Sequence, residues 1–164
     1  TQNATVFLLW NKGADGVWYC IREYYYSGRT EGKQKTDSEY ADDLESWLEE
    51  TKIKGIIVDP SAASFIAELR KRGYKVVKAK NNVEDGIRVV GTKLNQEAII
   101  FADSCVNTIQ EFGSYIWDEA AAAHGEDRPV KEHDHAMDAL RYFVYTILNN
   151  QTAIIRSKRK AGFH

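Results

Sequence analysis

Two stretches rich in Val, Leu, Ile, Trp and Tyr, residues 5–11 and 17–27, flank the polar segment "NKGADG". Such residues fit a pleated, half-buried surface, so the pattern predicts two antiparallel strands joined by a Gly-containing turn. The polar stretch "SGRTEGKQKT" then leads into "DSEYADDLESWLEE". There Tyr40, Leu44, Trp47 and Leu48 recur at helical spacing, and Asp37 or Ser38 is the predicted N-cap.

From Ile53 onward the period changes. "IKGIIVDP" is a continuous apolar run, the pattern of a strand buried on both faces. "SAASFIAELRKRG" follows as a helix, with Ser61 near its cap, basic residues at its end and Gly73 as its stop. "YKVVKAK" predicts a short strand, "EAIIFAD" a third buried strand and "SCVNTIQEFGSYIWDE" a further helix. "NVEDGIRVVGTKL" reads as helical in spite of Gly86 and Gly91, each costing about 1 kcal/mol relative to alanine. Residues 119–132, which contain Pro129, read as a loop, although "EAAAAHG" is able to prolong the helix before it. A last helix is predicted from Asp134 to Asn149, with Met137, Leu140, Val144 and Ile147 as its apolar stripe. Antiparallel strands followed by alternating strand and helix make an α/β domain, a mixed β-sheet flanked by helices on both faces.

Composition narrows the function classes. A chain of 164 residues, 43% hydrophobic and 12% aromatic, matches one ordinary globular domain. The net charge of −2 gives no overall signal for nucleic acid, so such a role must come from local patches. Cys20 and Cys105 are too few for a disulfide framework and lack the CxxC spacing of structural zinc. No stretch reads as a signal peptide, and no apolar run approaches the roughly 20 residues that span a bilayer. GxxxxGKS, GxxxxGKT and GxSxG patterns are all missing, which removes the P-loop and the hydrolase nucleophile elbow. The start at Thr1, almost directly in an apolar run, reads as a fragment of something longer.

Chemistry concentrates in two places. "GIIVDP" puts Asp59 at the carboxyl end of a strand, where ligands gather in α/β sheets. It reads either as a metal ligand or as a cap for the helix starting at Ser61; Asp103, in "IIFADS", reads better as a helix cap. "KEHDHAMDALRYF" places Asp134, His135 and Asp138 within one turn of a helix start, where side chains three or four apart are neighbours at about 5–6 Å. Asp134 suits the positive dipole end of a helix, but Asp138 lies a full turn further in. A hard divalent cation, Mg²⁺ or Mn²⁺, turns the repulsion of such a pair into attraction. His124 and His133 flank the loop and read as surface residues. Tyr24 to Tyr26 could stack bases, but alternation along a strand accounts for them more simply.

Taken together, "GIIVDPSAASFIAELRKRGYKVVKAKNNVEDGIRVV", "IIFADSCVNTIQEFGSYIWDE" and "HDHAMDALRY" resemble the C-terminal nuclease domain of phage terminase large subunits. "GKQKTDSEYADDL" and "TQNATVFLLW" extend the resemblance to nearly the whole chain. It implies an RNase H-like, resolvase-like fold over residues 1–150, with 151–164 as a basic tail. The implied activity is endonucleolytic cutting of concatemeric double-stranded viral DNA during genome packaging. The implied mechanism is phosphodiester hydrolysis by two divalent ions, Mg²⁺ or Mn²⁺. By resemblance the ligands are Asp59 and, on the closing helix, Asp138 with His135 and the adjacent Asp134, with Asp138 and His135 favoured. Lys33, Lys35, Lys78, Lys80, Arg128 and Lys131 are the candidate phosphate contacts.

The resemblance further implies an N-terminal ATPase domain in the full-length protein, with the terminase small subunit and the portal protein as partners. It implies work in the cytoplasm of an infected bacterium, with no role at a membrane. The family's first aspartate sits on a central first strand, in a D-x-G-like pattern just before "TQNAT". That strand and its acid are therefore expected to be missing from this chain, and activity to depend on them. Two alternatives share the fold: a non-catalytic module binding DNA or a packaging partner, and a nuclease of recombination junctions or RNA–DNA hybrids.

Overall fold

A computed structural model of the chain describes residues 3–113 and 134–149. The loop 119–132, His124, Arg128, Lys131, His133 and the tail 151–164 lie outside the described residues. The chain divides into two compact units, one formed by residues up to Lys35 together with 96–140, the other by residues 36–95 and those from Arg141 onward.

In the first unit, β1 (Ala4–Lys12) and β2 (Trp18–Ser27) pair antiparallel, with Ala4 opposite Ser27 and Lys12 opposite Trp18. Their connection is held locally: the Gly13 amide donates to the Val17 carbonyl at 2.8 Å, and Asp15 Oδ1 accepts the Val17 amide at 2.9 Å. Gly16 sits at φ +82°, a left-handed conformation glycine adopts without steric penalty. A single helical turn, α1 (Gly28–Glu31), follows β2. The strand expected in "EAIIFAD" is β5 (Ile99–Phe101), which lies parallel to β2 and makes the sheet mixed, in the order β1-β2-β5. It is not buried on both faces: Ile99 is buried, but Ile100 is 43% exposed. A helix, α5, described over 106–113, comes next. Phe101 packs edge-on against Trp10 and Phe112, at 5.6 and 5.3 Å between ring centroids. Cys20 and Cys105 form no disulfide and are fully buried, their sulfurs 3.8 Å apart. Burial pushes the Cys20 thiol up, so these are inert core groups.

The second unit contains α2 (Asp37–Leu48), β3 (Ile56–Val58), α3 (Ala63–Lys71), β4 (Val76–Lys78) and α4 (Val83–Asn95). β3 and β4 are parallel, with Ile56 opposite Val76 and Val58 opposite Lys78. "IKGIIVDP" yields only three strand residues, of which Val58 alone is buried. The cap of α2 is Thr36 rather than Asp37 or Ser38: Thr36 Oγ1 accepts the Glu39 amide and Glu39 Oε2 accepts the Thr36 amide, a reciprocal capping box. Arg72 ties α2 to α3, donating to Asp42 at 2.7 Å and Glu68 at 2.9 Å. Gly73, at φ +92°, ends this stretch as expected.

The last helix, α6 (His135–Phe143), begins in the first unit and ends in the second, where a π-helical turn (Val144–Leu148) continues it. A π turn holds more residues than an α turn and rotates the apolar stripe. Met137, Leu140 and Val144 are buried as expected, but the next buried position is Leu148, not Ile147.

Candidate functional site

Asp59 directly follows β3, so the parallel strand pair sets its place. Its Oδ1 accepts the Ser61 amide at 2.9 Å and its Oδ2 accepts the Tyr142 hydroxyl at 3.0 Å. The carboxylate thus performs the local turn function and is also held by a side chain from the last helix. Each oxygen has two lone pairs, so both contacts leave acceptor capacity for a cation. α3 itself begins at Ala63, and Ala62 at its cap position makes no side-chain bond. The turn made by Asp59 takes over the capping expected from Ser61.

On α6, the Asp138 amide donates to the Asp134 carbonyl at 2.8 Å, closing the first turn. Asp134, His135 and Asp138 are all half-buried. The helical spacing anticipated from the sequence is therefore present in the first unit, and it brings two carboxylates and an imidazole onto one turn.

That turn is fastened by a residue that no sequence motif singles out. Glu111, only 6% exposed on α5, accepts the amides of Ala136 at 2.8 Å and Met137 at 3.0 Å through Oε2. Its Oε1 accepts the Tyr25 hydroxyl at 3.1 Å. Burial pushes the Glu111 carboxyl up to about 7, assisted by the charge of Asp134 and opposed by its three hydrogen bonds. α5 is anchored in turn by Glu23 of β2. Glu23 Oε1 accepts the Asn107 amide at 2.9 Å, and its Oε2 accepts the amide of Thr108 at 2.6 Å and the Thr108 hydroxyl. Glu23, not Asp103, caps this helix. The only local signal is an acid on an apolar strand and another on a helix, and neither names its distant partner.

The candidate basic contacts have varied surroundings. Lys35 Nζ lies 4.5 Å over the Tyr26 ring, and Lys33 supplies its carbonyl to the Tyr26 hydroxyl. Lys78 and Lys80 are exposed. The three tyrosines serve the fold: Tyr24 stacks on Phe7 at 4.5 Å, while Tyr25 and Tyr26 make the bonds just described. Among the described residues no group of three or more His, Cys, Asp or Glu is arranged to hold a metal ion. Two carboxylates on one helical turn nonetheless suit Mg²⁺, which keeps several waters and takes one or two carboxylates plus substrate phosphates.

No protein-family model matches. The large terminase of a thermophilic bacteriophage, crystallised in complex with ATP-gamma-S, superimposes with a TM-score of 0.82 at 58% identity, covering 90% of this chain and 38% of that one. Another crystal form of the same phage protein gives 0.79 at 56% identity, over 90% of this chain and 37% of that one. The terminase large subunit of Escherichia phage T5 is 30% identical over 133 residues, which is 79% of this chain and 30% of the T5 protein. The chain thus spans about a third of the length of these relatives. Among the described residues no helix is long and apolar enough to cross a membrane.

Proposed function

The chain is homologous to the phage large terminases and has their RNase H-like α/β fold, and on that premise we propose that it is a metal-dependent DNA endonuclease. Its substrate is concatemeric double-stranded viral DNA, cut in the cytoplasm of the infected bacterium during genome packaging. A terminase small subunit, a portal protein and an ATPase domain of the same polypeptide are its working partners. The observation that supports this best is the single helical turn carrying Asp134, His135 and Asp138 in a chain 58% identical to a large terminase.

Asp138 and His135, with Asp134, are assigned to one metal-binding group, and Asp59 is assigned as a further carboxylate ligand, alongside the family's first-strand aspartate. Two divalent ions, Mg²⁺ or Mn²⁺, when bound supply an activated water and charge stabilisation for the leaving oxygen. The chain's own part is to fix the donors. Ser61 and Tyr142 orient the Asp59 carboxylate, and the bond from the Asp138 amide to the Asp134 carbonyl sets the spacing of those two residues at the start of α6. Lys33, Lys35, Lys78 and Lys80, with Arg128 and Lys131, contact phosphates without reading bases, so cutting is largely independent of sequence.

The test is Mn²⁺-dependent nicking of supercoiled plasmid by the full-length protein. Asp59→Asn keeps an oxygen for the Ser61 amide, and Asp138→Asn keeps the helix. Each is expected to abolish nicking with circular dichroism unchanged. Undiminished cutting by both variants would refute the assignment. A second reading, a non-catalytic module that binds DNA or a packaging partner, is favoured by the basic run of Arg156, Lys158, Arg159 and Lys160. DNA binding in EDTA with no cutting in any metal would establish it.

A further inference from the structure

The geometry points to Glu111 as the positioning residue of the metal-binding turn, an inference that rests on the function proposed above. The two amides it holds belong to Ala136 and Met137, the residues that separate His135 from Asp138. The first amides of a helix have no partner within it, and a carboxylate is favoured at that positive end. By accepting both amides on one oxygen, Glu111 sets the direction in which the first turn leaves, and with it the directions of the side chains at 134, 135 and 138.

The hold is not a stray surface cap. Glu111 is buried, its other oxygen is taken by Tyr25 of β2, and α5, which carries it, is itself pinned to β2 through Glu23. A strand glutamate thus fixes one helix, and a glutamate on that helix fixes the next. The consequence is rigidity at the point where donor spacing matters. Partners behind metal ligands typically change affinity by about 10- to 100-fold when removed.

Mn²⁺ titration at pH 8, followed by calorimetry, tests this on the full-length protein. Glu111→Gln keeps an oxygen for both amides and is expected to bind Mn²⁺ like the unaltered protein. Glu111→Ala removes the acceptor and is expected to weaken binding by about 10- to 100-fold. Glu111→Asp, which keeps the charge but shortens the reach, is expected to weaken it as well and serves if the alanine variant does not fold. Asp138→Asn is the control for the underlying reading. If it loses Mn²⁺ while Glu111→Ala and Glu111→Asp bind normally, the positioning role is overturned and the metal site stands. An equal loss in Glu111→Gln and Glu111→Ala overturns it too, because charge rather than acceptor placement is then what matters. Unchanged binding by Asp138→Asn removes the metal site and the inference together.

Discussion

Tyr142, near the end of α6, donates its hydroxyl to Oδ2 of Asp59 at 3.0 Å, 83 residues earlier in the chain. With the Ser61 amide on Oδ1, this leaves the carboxylate little rotational freedom. Tyr142→Phe removes the hydroxyl and nothing else. A hydrogen bond to a charged group contributes about 1.5–3 kcal/mol, and this one is only part-buried, so a loss of about 1–2 kcal/mol is expected in urea unfolding. Mn²⁺-dependent nicking is expected to fall while DNA binding in EDTA stays level. Unaltered stability would mean that the bond contributes nothing in solution.

Gly86 and Gly91 both lie within α4, and the sequence marks both as equal liabilities. The structure separates them. A Cβ at Gly86 meets Arg141 Cγ at 2.5 Å and Cδ at 2.7 Å. Arg141 cannot swing aside cheaply, because it is buried and its guanidinium donates to the Asn81 carbonyl at 2.9 Å and the Asn82 carbonyl at 3.3 Å. Gly86→Ala is therefore expected to destabilise by about 1–3 kcal/mol through overpacking. A Cβ at Gly91 meets nothing within 4 Å, so Gly91→Ala is expected to stabilise by about 0.5–1 kcal/mol through helix propensity. Thermal or urea unfolding of the two variants checks the opposite signs.

These cases show what the sequence could and could not disclose. Strands, helices and the Gly73 stop were legible because each is set by a period or a backbone preference within a few residues. The turn carrying Asp134, His135 and Asp138, and Asp59 at a strand end, were legible for the same reason. Partners far apart in the chain were not. Glu23 reaches Asn107 across 84 positions, and Glu111 reaches Ala136 across 25. No local pattern encodes which carboxylate meets which helix end. The burial of Leu148 in place of Ile147 depends on a π turn that the spacing of apolar residues does not announce.

Thr36 caps α2 through T-x-x-E, a local signature that the apolar spacing of the helix does not reveal. Its hydroxyl accepts the Glu39 amide at 3.2 Å, while Glu39 returns a carboxylate to the Thr36 amide at 2.8 Å. Thr36→Ala is expected to cost about 1 kcal/mol, and Thr36→Ser very little. Denaturant midpoints measured for the two variants decide the matter. Equal midpoints would show that the box is not formed in solution.

Glu111 makes stability depend on pH with a definite sign. Burial raises its carboxyl from 4.5 to about 7 in the folded protein, with Asp134 adding to the rise and the amides of Met137 and Ala136 and the Tyr25 hydroxyl opposing it. Between pH 4.5 and about 7 the folded chain therefore holds a proton that the unfolded chain has released. The contribution is fully present below 4.5, declines as pH rises, and is lost above about 7. At 1.36 kcal/mol per pKa unit it amounts to at most about 3 kcal/mol. Glu111→Gln carries a neutral side chain with the same acceptor at every pH. Subtracting its urea stability from that of the unaltered protein, pH by pH from 5 to 8, cancels the histidine titrations common to both. The difference is expected to fall from pH 5 to about 7 and to level off by pH 8. A flat difference would show that Glu111 is ionised throughout, and that the three donors outweigh its burial.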